Sequence, residues 1–320
     1  MSHIKLPIVI TPSRVDGALK CHRKHVLQDV LSKAAYYSPS LEFGSVIHAG
    51  VNNYWLARKF NKIPTWEAAI EKEWHERFEL RPQVSTKSVS LAMAKGMMQG
   101  YAESASLGGE LFTDGYELMD CEQRFEIPIP LDDHHALLSF QCDRVLYEKN
   151  NRNHIVIVDT KTASRLDARW ERQWETSIQM RLYKLAAMEL FQTDQVDILI
   201  EGVLKHVPTV VKYHSPPDWS KLQLAEALHA AKSIAIRDEN LIVAQVGHQA
   251  MDKNEPILRL RTQAELEEIA VKFTIPNYGE CFSYNIECSF WKICSADFPD
   301  RLDILHSGEY FDLPQNEETY

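Results

Sequence analysis

The spacing of hydrophobic and polar residues along the chain predicts helices that surround a group of strands. Apolar positions at helical spacing predict a first helix that opens at Thr11-Pro12-Ser13, a second that begins near Phe43 and two more within residues 65–106. From Tyr116 to Ile129 the pattern changes to that of strands. The later elements are predicted as a helix from Asp167 to Gln192, a hairpin over 196–214, and helices over Pro216–Arg237 and Thr262–Phe273.

A hairpin in the middle of the chain carries the strongest strand signal. Phe140–Tyr147 is predicted as one strand, and the polar stretch Glu148–Asn153 as the turn. The second strand, His154–Thr160, runs through four consecutive β-branched residues, IVIV. Such a run favours a buried central strand.

Polar side chains appear where this hydrophobic run stops. Asp159 and Lys161 are two residues apart, so their side chains share one face of the strand, and Asp143 on the partner strand can reach the same space. Two converging carboxylates suit a hard cation such as Mg²⁺ or Mn²⁺, and a lysine beside them can orient a water or hold a phosphate oxygen. A structural ion pair between Asp159 and Lys161 is the alternative.

Length and charge narrow the class of protein. The chain has 320 residues and a formal net charge of −10, which is not the overall charge of a passive DNA-binding protein. A nuclease remains compatible, because a carboxylate site is acidic until metal binds. No apolar run approaches a membrane span, and the N-terminus lacks a secretion signal, so we expect a cytoplasmic protein. No P-loop motif is present, which predicts no ATP-driven motor.

The hairpin resembles the core of the PD-(D/E)xK nuclease superfamily. Asp143 followed by Asp159-Thr160-Lys161-Thr162 is similar to the RecB-like exonuclease branch, whose core reads roughly G-x-x-D … D-x-K-T. Phe140 stands where that branch often has glycine. The resemblance implies an α/β fold of the restriction-endonuclease type: a central mixed sheet flanked by helices, with a helical insert after the first motif.

Three further motifs extend the resemblance in chain order. His48, in F-G-x-x-x-H, corresponds to a histidine that binds metal in the family. Glu122, two residues before an Arg-Phe pair, corresponds to a glutamate that precedes the core hairpin, and it is a candidate for a supporting or second-metal carboxylate. Gln179 and Tyr183 match Q-x-x-x-Y and are spaced to share a helix face, where the family holds the DNA strand. Taken alone, the position of His48 favours a core histidine over a metal ligand, and Glu122 is at least equally compatible with an exposed strand glutamate.

The cysteines form the second distinctive pattern. Cys281, Cys288 and Cys294 follow the spacing C-x6-C-x5-C, and Cys21 lies in the first predicted helix. Spaced cysteines in a reducing compartment point to metal before disulfide, and the residues alone leave a zinc site and an iron–sulfur cluster open, although zinc sites more often use C-x2-C.

The resemblance to RecB-like nucleases favours an iron–sulfur cluster over a zinc site. RecB-like nucleases with an iron–sulfur cluster use one N-terminal cysteine and three near the C-terminus, which implies a [4Fe–4S] cluster on these four cysteines and a cysteine tail packed on the N-terminal helix. His22 stands where those enzymes have proline. The two remaining cysteines, Cys121 and Cys142, are predicted to be buried in strands.

Together the resemblance implies a single nuclease domain over 1–320, with a helical part (1–110), a catalytic sheet core (111–215) and a C-terminal part with the cysteine tail (216–320). It implies a metal-dependent DNA exonuclease of recombination, repair or phage DNA processing, in a bacterium or a phage host. One or two Mg²⁺ or Mn²⁺ ions would be held by His48, Asp143, Asp159 and the Thr160 carbonyl, while Lys161 would position the attacking water.

The implied substrate is linear DNA with free ends, with single-stranded DNA as one candidate, and a recombination protein is a candidate partner. Two alternatives stay open. One is a non-catalytic DNA-binding or assembly subunit that keeps the cluster as a staple. The other is a nuclease of the CRISPR-adaptation type, which usually has a shorter chain and a shorter cysteine spacing.

Overall fold

A computed structural model describes most of the chain. The described residues are 8–34, 38–81, 84, 86–106, 115–131, 135–246, 257–274, 276–277, 288–297, 300–307 and 310–312. None of the helices within these ranges combines the length and the apolar character that crossing a bilayer requires.

The helices are α1 (Pro12–Lys20), α2 (His22–His25), α3 (Pro39–Lys59), α4 (Trp66–Trp74), α5 (Leu91–Ser106), α6 (Ala168–Glu175), α7 (Ile178–Phe191), α8 (Lys221–Ile242), α9 (Gln263–Lys272), α10 (Trp291–Ser295) and α11 (Arg301–Leu305). Two π-helical turns, Val26–Val30 and His75–Glu79, continue α2 and α4.

The strands are β1 (Val9–Ile10), β2 (Lys33–Ala34), β3 (Tyr116–Cys121), β4 (Arg124–Pro130), β5 (His135–Gln141), β6 (Arg144–Glu148), β7 (Asn151–Ala163), β8 (Val196–Leu204), β9 (Val211–His214), β10 (Val243–Val246), β11 (Ile257–Leu260) and β12 (Phe311–Asp312).

The chain divides into two compact units. The first takes its residues from the ranges 1–36, 128–139 and 226–320, and the second from 37–127 and 140–225. Both units are therefore assembled from segments that are distant in sequence.

The second unit is built on a five-stranded mixed sheet in the order β3-β6-β7-β8-β9. Strands β7 and β8 are parallel, and the other neighbours are antiparallel. The predicted central strand is confirmed: Ile155, Val156, Ile157 and Val158 are all buried in β7. The α/β fold with a mixed sheet flanked by helices is likewise confirmed.

Helices α3, α4 and α5 form the helical layer of this unit. Their apolar faces share one core, which Val203 of β8 joins from the sheet. Gly50 of α3 permits the close approach, because a Cβ there would lie 2.9 Å from Met98 Cγ and 3.0 Å from the Ile70 side chain. The aromatic and methionine stripes of residues 65–106 are therefore core, and the helices position α3 against the sheet.

The first unit joins the N-terminal helices to the C-terminal tail. Val26 and Leu27 share a hydrophobic cluster with residues of α9 and with Phe290 and Ile293 of the tail. Arg23 is buried and donates to the Thr274 carbonyl at 2.6 Å. The predicted packing of the tail on the N-terminal helix is thus seen for the described residues.

The N-terminal helix is shorter than its hydrophobic pattern predicts. It begins as predicted, with the Thr11 hydroxyl accepting from the Arg14 N–H at 3.2 Å, but it ends at Lys20. Cys21 is extended, with φ −153° and ψ 109°, and α2 begins after it. The interruption turns Cys21 out of the regular helix, which a pattern of apolar residues cannot reveal.

Two other predicted elements are also divided. The strand predicted over Phe140–Tyr147 breaks at Cys142 and Asp143, between β5 and β6. The helix predicted over Asp167–Gln192 breaks at Thr176, because the Ser177 side chain caps α7 by accepting from the Met180 N–H. In both cases a polar residue satisfies backbone groups that regular structure would otherwise pair.

Candidate active site

Asp143 lies in the break between β5 and β6. Its Oδ1 is 3.1 Å from His48 Nδ1, and its Oδ2 accepts from the Thr160 N–H at 2.5 Å. Burial alone would raise the pKa of Asp143, but the His48 and Lys161 charges and these hydrogen bonds outweigh burial and hold the pKa below its ordinary range. The break thus places the ionised Asp143 carboxylate beside Thr160 of β7.

Asp159 and Lys161 point to one face of β7, as the alternation of a strand requires. Lys161 Nζ lies 2.7 Å from Asp159 Oδ2. Burial raises the pKa of Asp159, and Asp143 raises it further against the opposing effect of Lys161. Burial alone would lower the pKa of Lys161, but the two carboxylates raise it, so its ammonium group is protonated at neutral pH.

His48 comes to the same place from α3. Burial by itself would lower its pKa, but the neighbouring Asp143 carboxylate raises it above the ordinary value. The Asp143 carboxylate thus favours the protonated form of the His48 imidazole.

The side chains present fit a hard divalent cation. Oδ2 of Asp159 is buried and, although it is ion-paired with Lys161, it has no well-formed hydrogen bond. Within the described ranges, no three His, Cys, Asp or Glu side chains enclose a single metal position. Mg²⁺ does not require such a cage, since it usually keeps several waters and takes one or two carboxylates. Asp143 and Asp159 supply two.

Gln179 and Tyr183 stand beside these carboxylates on α7. Gln179 Nε2 donates to the Tyr183 hydroxyl at 3.0 Å, and that hydroxyl donates to the Gln141 carbonyl at 3.1 Å. Tyr183 is buried; burial raises its pKa, and the Asp159 charge raises it further. The Tyr183 hydroxyl thus fixes the backbone at Gln141, two residues before Asp143. Contact of Gln179 or Tyr183 with DNA stays a prediction.

Glu122 lies next to the site and has an unusual backbone. Its φ of 52° is in the left-handed region, which non-glycine residues seldom occupy, and its N–H donates to the Asp143 carbonyl at 3.1 Å. Burial raises the pKa of its carboxyl, and the Asp143 charge raises it further. The strain marks a position held by its surroundings. Its role as a supporting or second-metal carboxylate stays a prediction.

A pocket of about 660 Å³ opens over His48, Asp143 and Lys161. The residues that line it are Ser40, Leu41, Gly44, Ser45, His48, Ala49, Glu73, Arg77, Glu122, Gln141, Asp143, Thr160, Lys161 and Thr162. Glu73 and Arg77, on α4 and the π-helical turn after it, were not anticipated from the sequence. On a helix of alternating charges their pattern is that of a solvated face, and only packing shows that they meet the site.

Three of the four predicted cluster cysteines come together in the first unit, while Cys281 falls outside the described residues. Burial raises the pKa of Cys294, and the nearby thiols of Cys21 and Cys288 raise it as well, whereas Arg23 lowers it. The Asn277 N–H lies 3.4 Å from Cys21 Sγ. The thiols of Cys21 and Cys288 thus lie near enough to Cys294 to affect its pKa. The two cysteines outside the predicted cluster differ in burial. Cys142 is buried as predicted, whereas Cys121 is only partly buried.

Comparison with known proteins identifies the family. Among solved structures, the chain is similar to a "Putative exonuclease" from Eubacterium rectale (13% identity, TM-score 0.45, covering 72% of this chain and 81% of that chain). It is also similar to the protein SSO0001 (12% identity, TM-score 0.30, covering 75% and 80%). No curated protein sequence matches. The model of the PD-(D/E)XK nuclease superfamily matches residues 9–295. With that match over nearly the whole chain, this protein belongs to the PD-(D/E)XK nuclease superfamily.

Proposed function

We propose that this nuclease is a metal-dependent DNA exonuclease of recombination, repair or phage DNA processing. The observation that carries the proposal is the convergence of four side chains in the order of the RecB-like motifs: His48, Asp143 and Lys161 line one pocket, and Asp159 is ion-paired with Lys161. The exonuclease activity and the preference for linear DNA rest on that resemblance.

The proposed metal ligands are His48, Asp143, Asp159 and the Thr160 carbonyl. One or two bound Mg²⁺ or Mn²⁺ ions would polarise the phosphodiester and lower the pKa of a water. Asp143 is suited to this task because its low pKa keeps it ionised. The Lys161 ammonium lies 2.7 Å from Asp159 Oδ2, so it would have to shift for a metal to bind that oxygen.

Lys161 has a defined chemical role in this proposal. Its pKa is raised, so at neutral pH it donates hydrogen bonds and does not accept a proton. A protonated lysine at this position orients the attacking water through the lone pairs of the oxygen and stabilises negative charge that develops on the phosphate. Gln179 is hydrogen-bonded to Tyr183, which is bonded to the Gln141 carbonyl, and both side chains are proposed to contact the DNA strand.

A cleavage assay tests the proposal. End-labelled linear single- and double-stranded DNA is incubated with wild type and with Asp159→Ala, in Mn²⁺, in Mg²⁺ and in EDTA. We expect label to be released by wild type only, and only with metal, because Asp159 is one of the two carboxylates proposed to bind the metal. Loss of the terminal label before internal cleavage would distinguish exonuclease from endonuclease.

Two outcomes would contradict the proposal. Cleavage by Asp159→Ala at the wild-type rate would remove this carboxylate from the site. Absence of cleavage by folded wild type that still binds DNA would favour the DNA-binding or assembly subunit.

We further propose that Cys21, Cys281, Cys288 and Cys294 hold a [4Fe–4S] cluster. The support is the neighbourhood of three thiols with the buried Arg23 guanidinium, whose positive charge favours thiolates. The spacing C-x6-C-x5-C favours a cluster over a zinc ion, because zinc sites more often use C-x2-C. By joining both ends of the chain, the cluster would stabilise the first unit.

Metal analysis of anaerobically purified protein checks this proposal. We expect about four irons and four sulfides per chain, and Cys21→Ser or Cys294→Ser should lose them and unfold at a lower temperature. Cys121→Ser is the matched control, because this partly buried thiol lies in β3 of the other unit. One zinc per chain without sulfide would replace the cluster with a structural zinc site.

A further inference from the structure

A closed group of buried polar side chains lies on the opposite face of the sheet from Asp159 and Lys161. Thr160 stands between those two residues, so its side chain points to the other face. There it meets Glu201, its partner in the register of β7 and β8. Arg144 follows Asp143 directly and reaches the same place from β6. Each proposed catalytic carboxylate is thus the immediate chain neighbour of a residue in this group.

Glu201 is the centre of the group. Its Oε2 accepts from Arg144 Nη2 at 2.6 Å and from the Thr160 hydroxyl at 2.9 Å, and its Oε1 accepts from the Tyr101 hydroxyl at 2.9 Å. Arg144 also donates to the Thr160 hydroxyl at 3.0 Å and to the Tyr101 hydroxyl at 3.1 Å. Both carboxylate oxygens are therefore satisfied, and the hydroxyls each donate and accept.

The group extends to the helix that carries His48. Trp55 Nε1 donates to the Tyr101 hydroxyl at 2.7 Å, and the Arg144 guanidinium lies 5.4 Å from the centre of the Trp55 ring. Trp55 and His48 are both on α3 and are separated by about two helical turns. The elements that supply His48, Asp143 and Asp159 therefore each have one member in the group: α3, the start of β6, and β7.

The burial of this group argues against a simple contribution to stability. The side chains of Arg144 and Glu201 are 2% and 0% exposed. A buried ion pair gains little over apolar residues of the same volume, because desolvation offsets the attraction. Its distinctive property is geometric: fully satisfied polar networks specify one arrangement of the elements that they join. At this position the arrangement specified is that of the site.

We propose that Arg144 and Glu201 are positioning residues that set the geometry of Asp143, Asp159 and His48 for metal and phosphate. This inference rests on the proposed nuclease function and adds to it. The Arg144–Glu201 pair and its hydrogen-bond partners join α3, β6 and β7 on the face of the sheet opposite Asp159. A change in these hydrogen bonds therefore moves Asp143 and Asp159, although the pair does not contact them. Partners that orient metal ligands typically change metal affinity or activity by 10- to 100-fold when they are altered.

Three variants of the full-length, cluster-containing protein test the inference. Glu201→Gln keeps the shape but removes the charge, and Tyr101→Phe removes only the hydroxyl that links Glu201 to Trp55. Tyr54→Phe is the matched control: its ring meets the Tyr101 ring edge-on, with 5.8 Å between the ring centres, but its hydroxyl accepts from Arg58 at 3.1 Å. Each variant is measured at a temperature at which its circular dichroism shows it to be folded.

The measurements are single-turnover DNA cleavage, the DNA concentration at half-maximal rate, and Mn²⁺ affinity without DNA by electron paramagnetic resonance. We expect Glu201→Gln to lower the maximal rate and the Mn²⁺ affinity by about 10- to 100-fold, and Tyr101→Phe by several-fold. The half-maximal DNA concentration should stay within about twofold, because neither Glu201 nor Tyr101 lines the pocket. Tyr54→Phe should match wild type in all three.

The possible outcomes test the inference and the proposed nuclease function separately. If the variants unfold at lower temperature yet keep wild-type rate and Mn²⁺ affinity, the group is purely structural and the inference is overturned. If wild type binds Mn²⁺ but cuts no DNA, the proposed function fails, while the Mn²⁺ affinities of the variants still decide the inference. If folded wild type neither cuts DNA nor binds Mn²⁺, both are overturned, because no metal site exists to be positioned.

Discussion

Lys161→Met is expected to lower the single-turnover rate of DNA cleavage by about a thousandfold while the protein stays folded. Methionine keeps much of the apolar stem but lacks the ammonium group. That group lies 2.7 Å from Asp159 Oδ2 and is protonated at neutral pH, because both carboxylates raise its pKa. Without it, charge that develops on the phosphate loses a cationic donor that lines the pocket.

Metal binding should respond differently from the rate. Removing a cation that competes for Asp159 Oδ2 is expected to leave Mn²⁺ affinity unchanged or to increase it, because the carboxylates keep their charges. End-labelled DNA at saturating Mn²⁺ gives the rate, and electron paramagnetic resonance of Mn²⁺ gives the affinity. A lower rate with preserved metal binding would assign Lys161 to the chemical step.

Lys184→Met is the matched control for this prediction. Lys184 is also a buried lysine paired with an aspartate, with Nζ 2.5 Å from Asp218 Oδ1, but it does not line the pocket. We expect it to cleave within about twofold of wild type, as for a residue with no transition-state contact. If Lys161→Met cleaved as fast as Lys184→Met, the ammonium group would have no part in the reaction.

Gly202→Ala is expected to lower the free energy of unfolding by about 3 kcal/mol. Gly202 lies beside Lys161 in the register of β7 and β8. A Cβ there would lie 2.5 Å from Leu166 Cδ2 and 2.6 Å from Trp170 Cζ2, and the buried Trp170 ring has little room to move. The added methyl group has to push α6 away from the strand. Urea-induced unfolding, monitored by circular dichroism, measures the change.

Gly115→Ala is the control for this substitution, because no atom lies within 4 Å of a Cβ at that position. We expect it to change the free energy of unfolding by no more than about 0.5 kcal/mol. Equal stability of the two variants would mean that α6 shifts without loss, and the close approach of Trp170 to the strand would then not be a constraint on the fold.

Local pattern alone was sufficient for the parts of the site that lie on one element. The run of β-branched residues predicts β7 as a buried strand, and the period of two places Asp159 and Lys161 on one face; the structure agrees on both points. Thr11 as the cap of α1 is predicted by the same kind of short-range chemistry, and it is confirmed. These features depend on residues within a few positions of each other.

The breaks in elements could not be predicted in this way. Cys142 and Asp143 interrupt a segment with good strand propensity, because Asp143 makes its bonds to His48 and Thr160, which are distant in sequence. Cys21 interrupts an apolar helix pattern at the residue proposed to bind the cluster. Tertiary contacts override local propensity at both positions.

The sequence by itself therefore determined the family, the central strand and the proposed catalytic residues, because motif order and strand alternation are properties of the chain. Only the tertiary structure showed that Glu73 and Arg77 line the pocket, that the Tyr183 hydroxyl is bound to the Gln141 carbonyl, and that Glu201 joins Arg144 to Thr160. Each of these depends on which distant elements pack together. A lone glutamate or arginine carries no sequence signal of its partner, and its burial and pairing arise only when the sheet and helices assemble.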